Sequence, residues 1–195
     1  MNTATIRAFI AVEIDEIVRQ KLSEIVLEFE KTKCDVKWVK TENFHLTLIF
    51  LGDIIQETVD SLKDILRKAV STFQPFKIEI KGMGTFGHPK YPRVIWAGVE
   101  PNDSIQSLYR AVKTEVTTLK LSVDEKEYIP HLTIGRVRSG HGIPKLMDMI
   151  KLYKTQFFGL STVDSIVLMK SVLQPSGPVY SVLHKVSFGS GENAL

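Results

Sequence analysis

Two strand-sized segments of this chain, residues 44–52 (FHLTLIFLG) and 130–136 (PHLTIGR), each set a histidine and a threonine two positions apart inside an apolar run. Side chains alternate across a strand, so residues i and i+2 share a face about 6.6 Å apart. His45 and Thr47 therefore point one way, and Leu46 and Leu48 point the other. His131 and Thr133 repeat the pattern, with Leu132 and Ile134 as their apolar backing. A fold for this chain must give both strands a core on one side and a polar surface on the other. It must also hold each imidazole on a strand rather than on a mobile loop.

The surrounding periodicity limits the kind of sheet. Residues 5–14 and 36–39 read as strands on either side of a helix over about 15–33, in which Val18, Leu22, Ile25, Val26 and Phe29 recur at helical spacing. After the His45 strand, Val59, Leu62, Ile65, Leu66 and Ala69 mark a second helix, and residues 76–82 alternate as a strand. Residues 82–93 are rich in glycine and proline and read as a loop between two halves, roughly 1–82 and 93–195. A strand at 93–100 follows, then a helix built on Ile105, Leu108, Val112, Val116 and Leu119 and opened by Asn102, Asp103 or Ser104. The His131 strand, a short helix at 143–153 and two strands near 163–170 and 179–188, joined by the turn QPSGP, complete the chain. Strands are short and several adjoin directly, so the expected class is α+β with mainly antiparallel sheet. Each half carries the same order of strand, helix, His-Leu-Thr strand, helix and strand.

The 195 residues suffice for one substantial domain. Hydrophobic residues make up 44% and charged residues 24%, the profile of a soluble globular chain. No apolar run is long enough for a membrane span, and no signal peptide is expected at the N-terminus. The single cysteine, Cys34, excludes an internal disulfide and fits a reducing cytosol. A net charge of +3 permits an anionic ligand without requiring nucleic acid.

Two histidines facing one cleft suit acid–base chemistry, since the ordinary imidazole pKa near 6.5 lets one ring be neutral and the other protonated near neutral pH. One ring takes a proton from an attacking water or hydroxyl, and the other gives one to a leaving oxygen. Threonine hydroxyls between them can donate to phosphate oxygens. Arg136 would add a bidentate grip, but five residues past His131 a regular strand turns it to the opposite face. A bulge or strand end at Gly135 is therefore expected. The alternative readings are two partly buried histidines satisfied by their surroundings, and a solvated Arg136.

Other signals carry less. Gly82, Gly84 and Gly87 satisfy G-x-G-x-x-G, but the prolines that follow forbid the helix a dinucleotide site needs. His88 and His141 lie in expected loops, and neither they nor His184 has a threonine two positions on. No metal is expected, because no carboxylate or histidine set accompanies His45 or His131. Phe9, Phe86, Tyr91 and Tyr128 are candidates for stacking on a base, with core packing the stronger reading for Phe9. Trp38 and Trp96 read as core. Lys37, Lys40, Lys77, Lys81, Lys90 and Arg93 are candidates for a basic rim or simply a solvated face.

The paired motifs, HLTL at 45–48 and HLTI at 131–134, resemble the His-x-Thr-x signatures of the two-histidine phosphoesterases, and within them the RNA 2',3'-cyclic phosphodiesterases or LigT-like 2'-5' RNA ligases. The likeness covers nearly the whole chain: RAFIAVEI at 7–14, VKWVKTENFHLTLIFLGD at 36–53, PRVIWAGVE at 92–100, PHLTIGRV at 130–137 and LMKSVLQPSGPVYSVL at 168–183 follow in order, with the histidines 86 positions apart. The resemblance implies a single bilobal α+β domain, two pseudo-symmetric lobes flanking a central cleft with helices outside. It implies metal-independent opening of a 2',3'-cyclic phosphate to a 2'-phosphate, with His45 as proton donor and His131 as proton acceptor. Thr47, Thr133 and Arg136 would bind the phosphate. The expected partners are RNA ends bearing a 2',3'-cyclic phosphate, tRNA fragments among them, or small cyclic nucleotides. The protein would act as a cytoplasmic monomer without cofactor, with reversible 2'-5' RNA ligation as a further activity. A binding module of the same fold, holding RNA ends or nucleotides without turnover, is the alternative.

Overall fold

The alternating strands and amphipathic helices assemble into one antiparallel sheet with helices packed on one face. The computed structural model describes residues 4–121, 123, 125–175 and 177–189. In chain order the elements are β1 (Ile6–Glu13), α1 (Glu16–Glu30), β2 (Val36–Trp38), β3 (His45–Ile54), α2 (Gln56–Val70), β4 (Phe76–His88), β5 (Tyr91–Val99), α3 (Asp103–Thr117), β6 (His131–Val137), α4 (Ile143–Leu152), β7 (Phe157–Val163), β8 (Ser165–Gln174) and β9 (Gly177–Ser187). A short 3-10 turn at Thr41–Asn43 leads into β3. No helix among the described residues is long and apolar enough to cross a membrane.

The strand order is β7-β4-β5-β6-β3-β1-β8-β9, with β2 added alongside β6. Four strands lie on each side of the β6–β3 junction, with the two motif strands as the inner pair, so the sheet has two pseudo-symmetric lobes. The lobes do not follow the two halves of the sequence. Strand β4, from the first half, pairs with β5, and β8, from the second, pairs with β1.

The expected loop at 82–93 is mostly strand: β4 continues to His88 and β5 begins at Tyr91, leaving a two-residue turn. Gly82 and Gly87 take positive φ, 72° and 104°, at irregularities in the β4–β5 register, and Gly84 serves close approach. A Cβ on Gly84 would lie 2.3 Å from the Trp96 ring of the neighbouring strand. Strand β7 was not expected from the sequence, because Gly159, Ser161 and Thr162 interrupt its apolar alternation. Ser161 is nonetheless fully buried, and its hydroxyl accepts the Asp15 N–H at 2.9 Å, tying β7 to the start of α1. The other elements lie where periodicity places them, and Asn102 opens α3 by accepting the Ile105 N–H at 3.1 Å. The turn expected at QPSGP spans Ser176, which lies outside the described residues.

Alternation decides which side chains meet the helices. Ala8, Ile10 and Val12 of β1, Leu46 and Leu48 of β3, and Leu132 and Ile134 of β6 join the buried helix residues Val18, Leu22, Leu62, Leu66, Leu108 and Val112 in one core. Phe9, Ala11 and Val167 form a smaller cluster with Met169 and Tyr180. Their place in the alternation puts that cluster on the opposite face, the one carrying the two histidines.

Strand β2 is held against β6 by contact at a glycine. A Cβ on Gly135 would fall 2.8 Å from the Trp38 ring and 2.9 Å from Val36. Gly135→Ala should lower the free energy of unfolding by about 1–3 kcal/mol, the usual cost of forcing an extra carbon into a packed site. Gly140→Ala, where nothing lies within 4 Å, should change it by less than about 0.5 kcal/mol. Urea titration of both variants checks this, and equal midpoints would contradict the described packing of β2.

Candidate active site

The two motif strands lie side by side at the centre of the sheet. They are antiparallel and share one register pair, Leu46 with Leu132. That register sets His45 across from Thr133 and Thr47 across from His131. The histidines are then diagonal neighbours, a spacing of about 7–8 Å in an antiparallel pair. That separation suits a single phosphorus with one imidazole on each side.

Each ring is fixed in the same way. His45 Nδ1 bonds the Asn43 carbonyl at 2.8 Å, and His131 Nδ1 bonds the Ile129 carbonyl at 2.7 Å. A carbonyl only accepts, so the proton sits on Nδ1 and Nε2 is left to exchange protons with a ligand. His45 is packed between the Phe9 ring, stacked at 4.8 Å, and the edge of Tyr180 at 5.3 Å. His131 meets the edge of Phe86 at 4.7 Å.

This packing moves the titration of both rings. Burial pushes His45 down to about 4, with His131 adding a smaller repulsion, although the Asn43 bond favours the charged form. His131 is also held below its ordinary value, by burial and by Arg136. Before a ligand arrives both rings are therefore neutral at pH 7. The sequence alone suggested one neutral and one charged imidazole; it did not show how deeply the aromatic neighbours desolvate them.

Bulges determine what else reaches the site. Between β5 and β6 the register steps from Ile95–Gly135 to Trp96–Thr133, leaving Ile134 as an extra residue on β6. Ile134 and Gly135 are both buried, and Arg136 turns onto the face of His131. The break in alternation expected near Gly135 is present. Strand β3 does the same: between Ile10–Ile49 and Ala11–Thr47, Leu48 is the extra residue. Leu48 and Ile49 are both buried, and Phe50 emerges on the cleft side, 63% exposed. Phe50 stands five residues after His45, as Arg136 stands five after His131. The reading of the sequence missed Phe50, although the shared offset was visible.

Two pockets flank the junction. One holds His45, Thr47, Thr133 and Arg136 together with Lys37, Lys40 and Tyr180. Among the described residues no carboxylate lines it, though Lys40 lies 3.8 Å from Glu42. Lys37 and Arg136 are direct register partners across β2 and β6, two like charges facing each other. The other pocket, of about 570 Å³, holds His131, Thr47, Phe50, Phe86, Tyr128 and Ile129. Among the described residues there is no group of three or more His, Cys, Asp or Glu able to hold a metal ion.

The remaining candidates divide. Phe9 is 3% exposed beneath His45 and offers no free face to a base. Phe86 and Tyr128 line the second pocket, and the Tyr128 hydroxyl donates to the Thr47 carbonyl at 3.2 Å. Tyr91 is 72% exposed at the β4–β5 turn and reaches neither pocket. Lys37 and Lys40 line the first pocket, whereas Lys77, Lys81, Lys90 and Arg93 line neither. Trp38 packs edge-on against Phe29 at 5.7 Å and also borders the first pocket. Tyr180 and Asn43, which hold His45 from two sides, carried no signal in the sequence beyond their neighbourhood.

The chain is similar to known proteins. Residues 13–174 match the model of the 2'-5' RNA ligase superfamily. A protein of Methanothermobacter thermautotrophicus named RNA 2',3'-cyclic phosphodiesterase is 35% identical over 90% of this chain and 95% of its own length. One of the same name from Methanocaldococcus jannaschii is 37% identical over 91% of this chain and 98% of its own. The crystal structure of TT0787 of Thermus thermophilus superposes with a TM-score of 0.79 at 27% identity, covering 95% of this chain and all of that one. Escherichia coli LigT complexed with 3'-AMP shares the fold, with a TM-score of 0.73 at 19% identity over 94% of this chain and 98% of that one. By its matched residues and its relatives, the chain belongs to the 2'-5' RNA ligase superfamily.

Proposed function

We propose that this protein hydrolyses the terminal 2',3'-cyclic phosphate of RNA to a 2'-phosphate, without a metal. The observation that carries the reading is the pair of diagonal, Nδ1-anchored imidazoles beside a cationic pocket with no lining carboxylate among the described residues. The like-charged Lys37–Arg136 pair is unfavourable while it is empty and favours an anion between or above it. His131 Nε2 takes the proton of the attacking water. His45 Nε2 gives a proton to the departing 3'-oxygen. Thr47, Thr133 and Arg136 hold the non-bridging oxygens, where charge collects as the bond breaks.

Relatives of 35–37% identity bear the corresponding name, which supports the activity; the order of donor and acceptor is the one the motif resemblance implies. RNA ends, tRNA fragments included, are the substrate class; small cyclic nucleotides are the minimal form, and the protein acts as a cytosolic monomer. A binding module without turnover is the competing reading. Permanent cations would serve it better than two rings whose tautomers are fixed to leave Nε2 free.

An oligonucleotide ending in a 2',3'-cyclic phosphate, offered with excess chelator, tests this reading. Wild type should turn it over, and His45→Ala and His131→Ala should each reduce kcat/KM by about 10²–10⁴-fold. Binding without turnover in wild type would favour the module, and loss of activity on chelation would show a metal requirement.

The pH profile follows from the two lowered rings. Protonated His45 becomes abundant as pH falls toward about 4, and neutral His131 as pH rises through its own depressed value. Their product peaks between the two, so kcat/KM should be bell-shaped with its maximum below pH 6.5, the limbs belonging to the coupled pair. The profile of kcat should peak at higher pH, because bound phosphate stabilises the imidazolium. A kcat/KM optimum above pH 8 would contradict the roles assigned.

A further inference from the structure

Each histidine has a register partner on the strand outside it, and the two partners differ in kind. Strand β1 sets Ala11 opposite Thr47 and Glu13 opposite His45. Strand β5 sets Trp96 opposite Thr133 and Gly98 opposite His131. Directly opposed residues of an antiparallel pair hold their Cβ atoms about 4.5–5.5 Å apart on one face, so the Glu13 side chain starts beside that of His45. Its counterpart by His131 has no side chain and no room for one: a Cβ on Gly98 would lie 2.7 Å from the Lys81 carbonyl oxygen. His131 has Arg136 on its own strand, and Lys126 and Glu127 line its pocket from the exposed segment before β6. Those two are charges of opposite sign, and neither is a register partner of the ring.

Glu13 and His45 also share the wall of a small cavity with Arg19, Glu42, Asn43 and Tyr180. The other charges there are already engaged. Arg19 Nε donates to the Ile14 carbonyl at 2.8 Å and lies 3.8 Å from Glu16, and Glu42 lies 3.8 Å from Lys40. Beyond Glu13, Asp15 accepts the Thr162 N–H at 3.0 Å, and Asp164 accepts the Ser165 hydroxyl at 2.7 Å. Glu13 itself meets Lys185 Nζ of β9 at 2.7 Å. The two side chains of that pair are 42% and 51% exposed, so the bond between them is weak and readily exchanged. From the other side His45 faces Lys37, Lys40 and Arg136, with His131 on the diagonal. Among the described residues Glu13 is the one anion that shares a register pair with a histidine of the centre.

With His45 as the proton donor, the role on which this inference rests, its ring must take up a proton from solvent among three cations and aromatic neighbours. We propose that Glu13 is the positioning residue that selects His45 for that role: its carboxylate, held by Lys185 while the ring is neutral, supplies the counter-charge when the ring becomes imidazolium. It acts through space, because His45 Nδ1 already bonds the Asn43 carbonyl and Nε2 is left for the phosphate. Gly98 gives His131 no such support, so His131 stays neutral and accepts. The motifs themselves are alike, and the neighbours on β1 and β5 tell acid from base.

The test follows the ring resonances of both histidines by NMR from about pH 3.5 to 9, assigned with His45→Ala and His131→Ala. It compares wild type, Glu13→Gln, Lys185→Met and the double variant. Glu13→Gln should lower the His45 titration by about 0.5 unit, and Lys185→Met, which frees the carboxylate, should raise it by about as much. With Lys185→Met in place, Glu13→Gln should lower it about twice as far as it does alone. His131 should move less than about half as far as His45 in every case. At about pH 7.5, above both titrations, kcat/KM on the cyclic phosphate end follows the protonated fraction of His45. It should fall about threefold in Glu13→Gln and rise about threefold in Lys185→Met. His45 titrating alike in all four proteins, or His131 moving as far as His45, overturns the role of Glu13 and leaves the phosphodiesterase reading intact. A fall of kcat/KM in both single variants does the same, since it marks the loss of a merely structural ion pair. No hydrolysis by wild type removes the donor role together with that reading.

Discussion

The site depends on a single register pair between two strands. Strands β3 and β6 are joined in register at Leu46 and Leu132. Both leucines are fully buried on the helix side. Burying two leucine side chains contributes about 3–6 kcal/mol, and it is bound to one register because a slip of one residue would exchange every inward and outward side chain. Pinned there, the polar partners of each motif have no freedom to rearrange. His45 must lie across from Thr133, and His131 across from Thr47. The interaction that positions the chemistry is thus an apolar one, on the far face of the sheet from the chemistry itself.

The two bulges then make a nearly symmetric centre asymmetric. In both motifs an extra buried residue, Leu48 or Ile134, brings the residue five positions beyond the histidine onto the cleft face. On one strand that residue is an arginine, on the other a phenylalanine. The arginine adds to the cationic pocket, and the exposed phenylalanine lies between the two pockets and lines both. The duplicated backbone supplies the geometry, and a difference of one residue at equivalent places makes its two sides chemically unlike.

Much of this was legible in the sequence, because alternation and helical spacing are local. The faces of both motif strands, the helices and the break in alternation near Gly135 followed from a few residues each. What was not legible is long-range or depends on packing. The exchange of β4 and β8 between lobes cannot be read from periodicity, since a strand's alternation does not name its partner. Glycine and proline in residues 82–93 signal a loop locally, whereas in the fold Gly82 and Gly87 use their positive φ at irregularities within strand pairing and Gly84 makes room for the Trp96 ring on the next strand. Strand β7 escaped notice because its buried Ser161 and Gly159 dilute the apolar signal. Tyr91, a stacking candidate by composition, projects from the turn, and the environment of Tyr180 exists only once β9 is paired with β8.

The burial of the imidazoles also makes sense of the charges around them. The anion pocket holds Lys37, Lys40 and Arg136, with Lys37 directly opposite Arg136. Two charged imidazoles added to that group would raise the repulsion further, and their desolvation among Phe9, Tyr180 and Phe86 makes the charged forms costlier still. The ligand-free protein avoids this by keeping both rings neutral. An arriving phosphate changes the balance: its charge offsets the opposed cations and favours a proton on one ring. Proton uptake and anion binding are then one coupled event, and under the proposed mechanism the substrate's own charge would generate the acid that expels the 3'-oxygen. Near neutral pH the arrangement favours a proton on the enzyme when an anion is bound beside the rings.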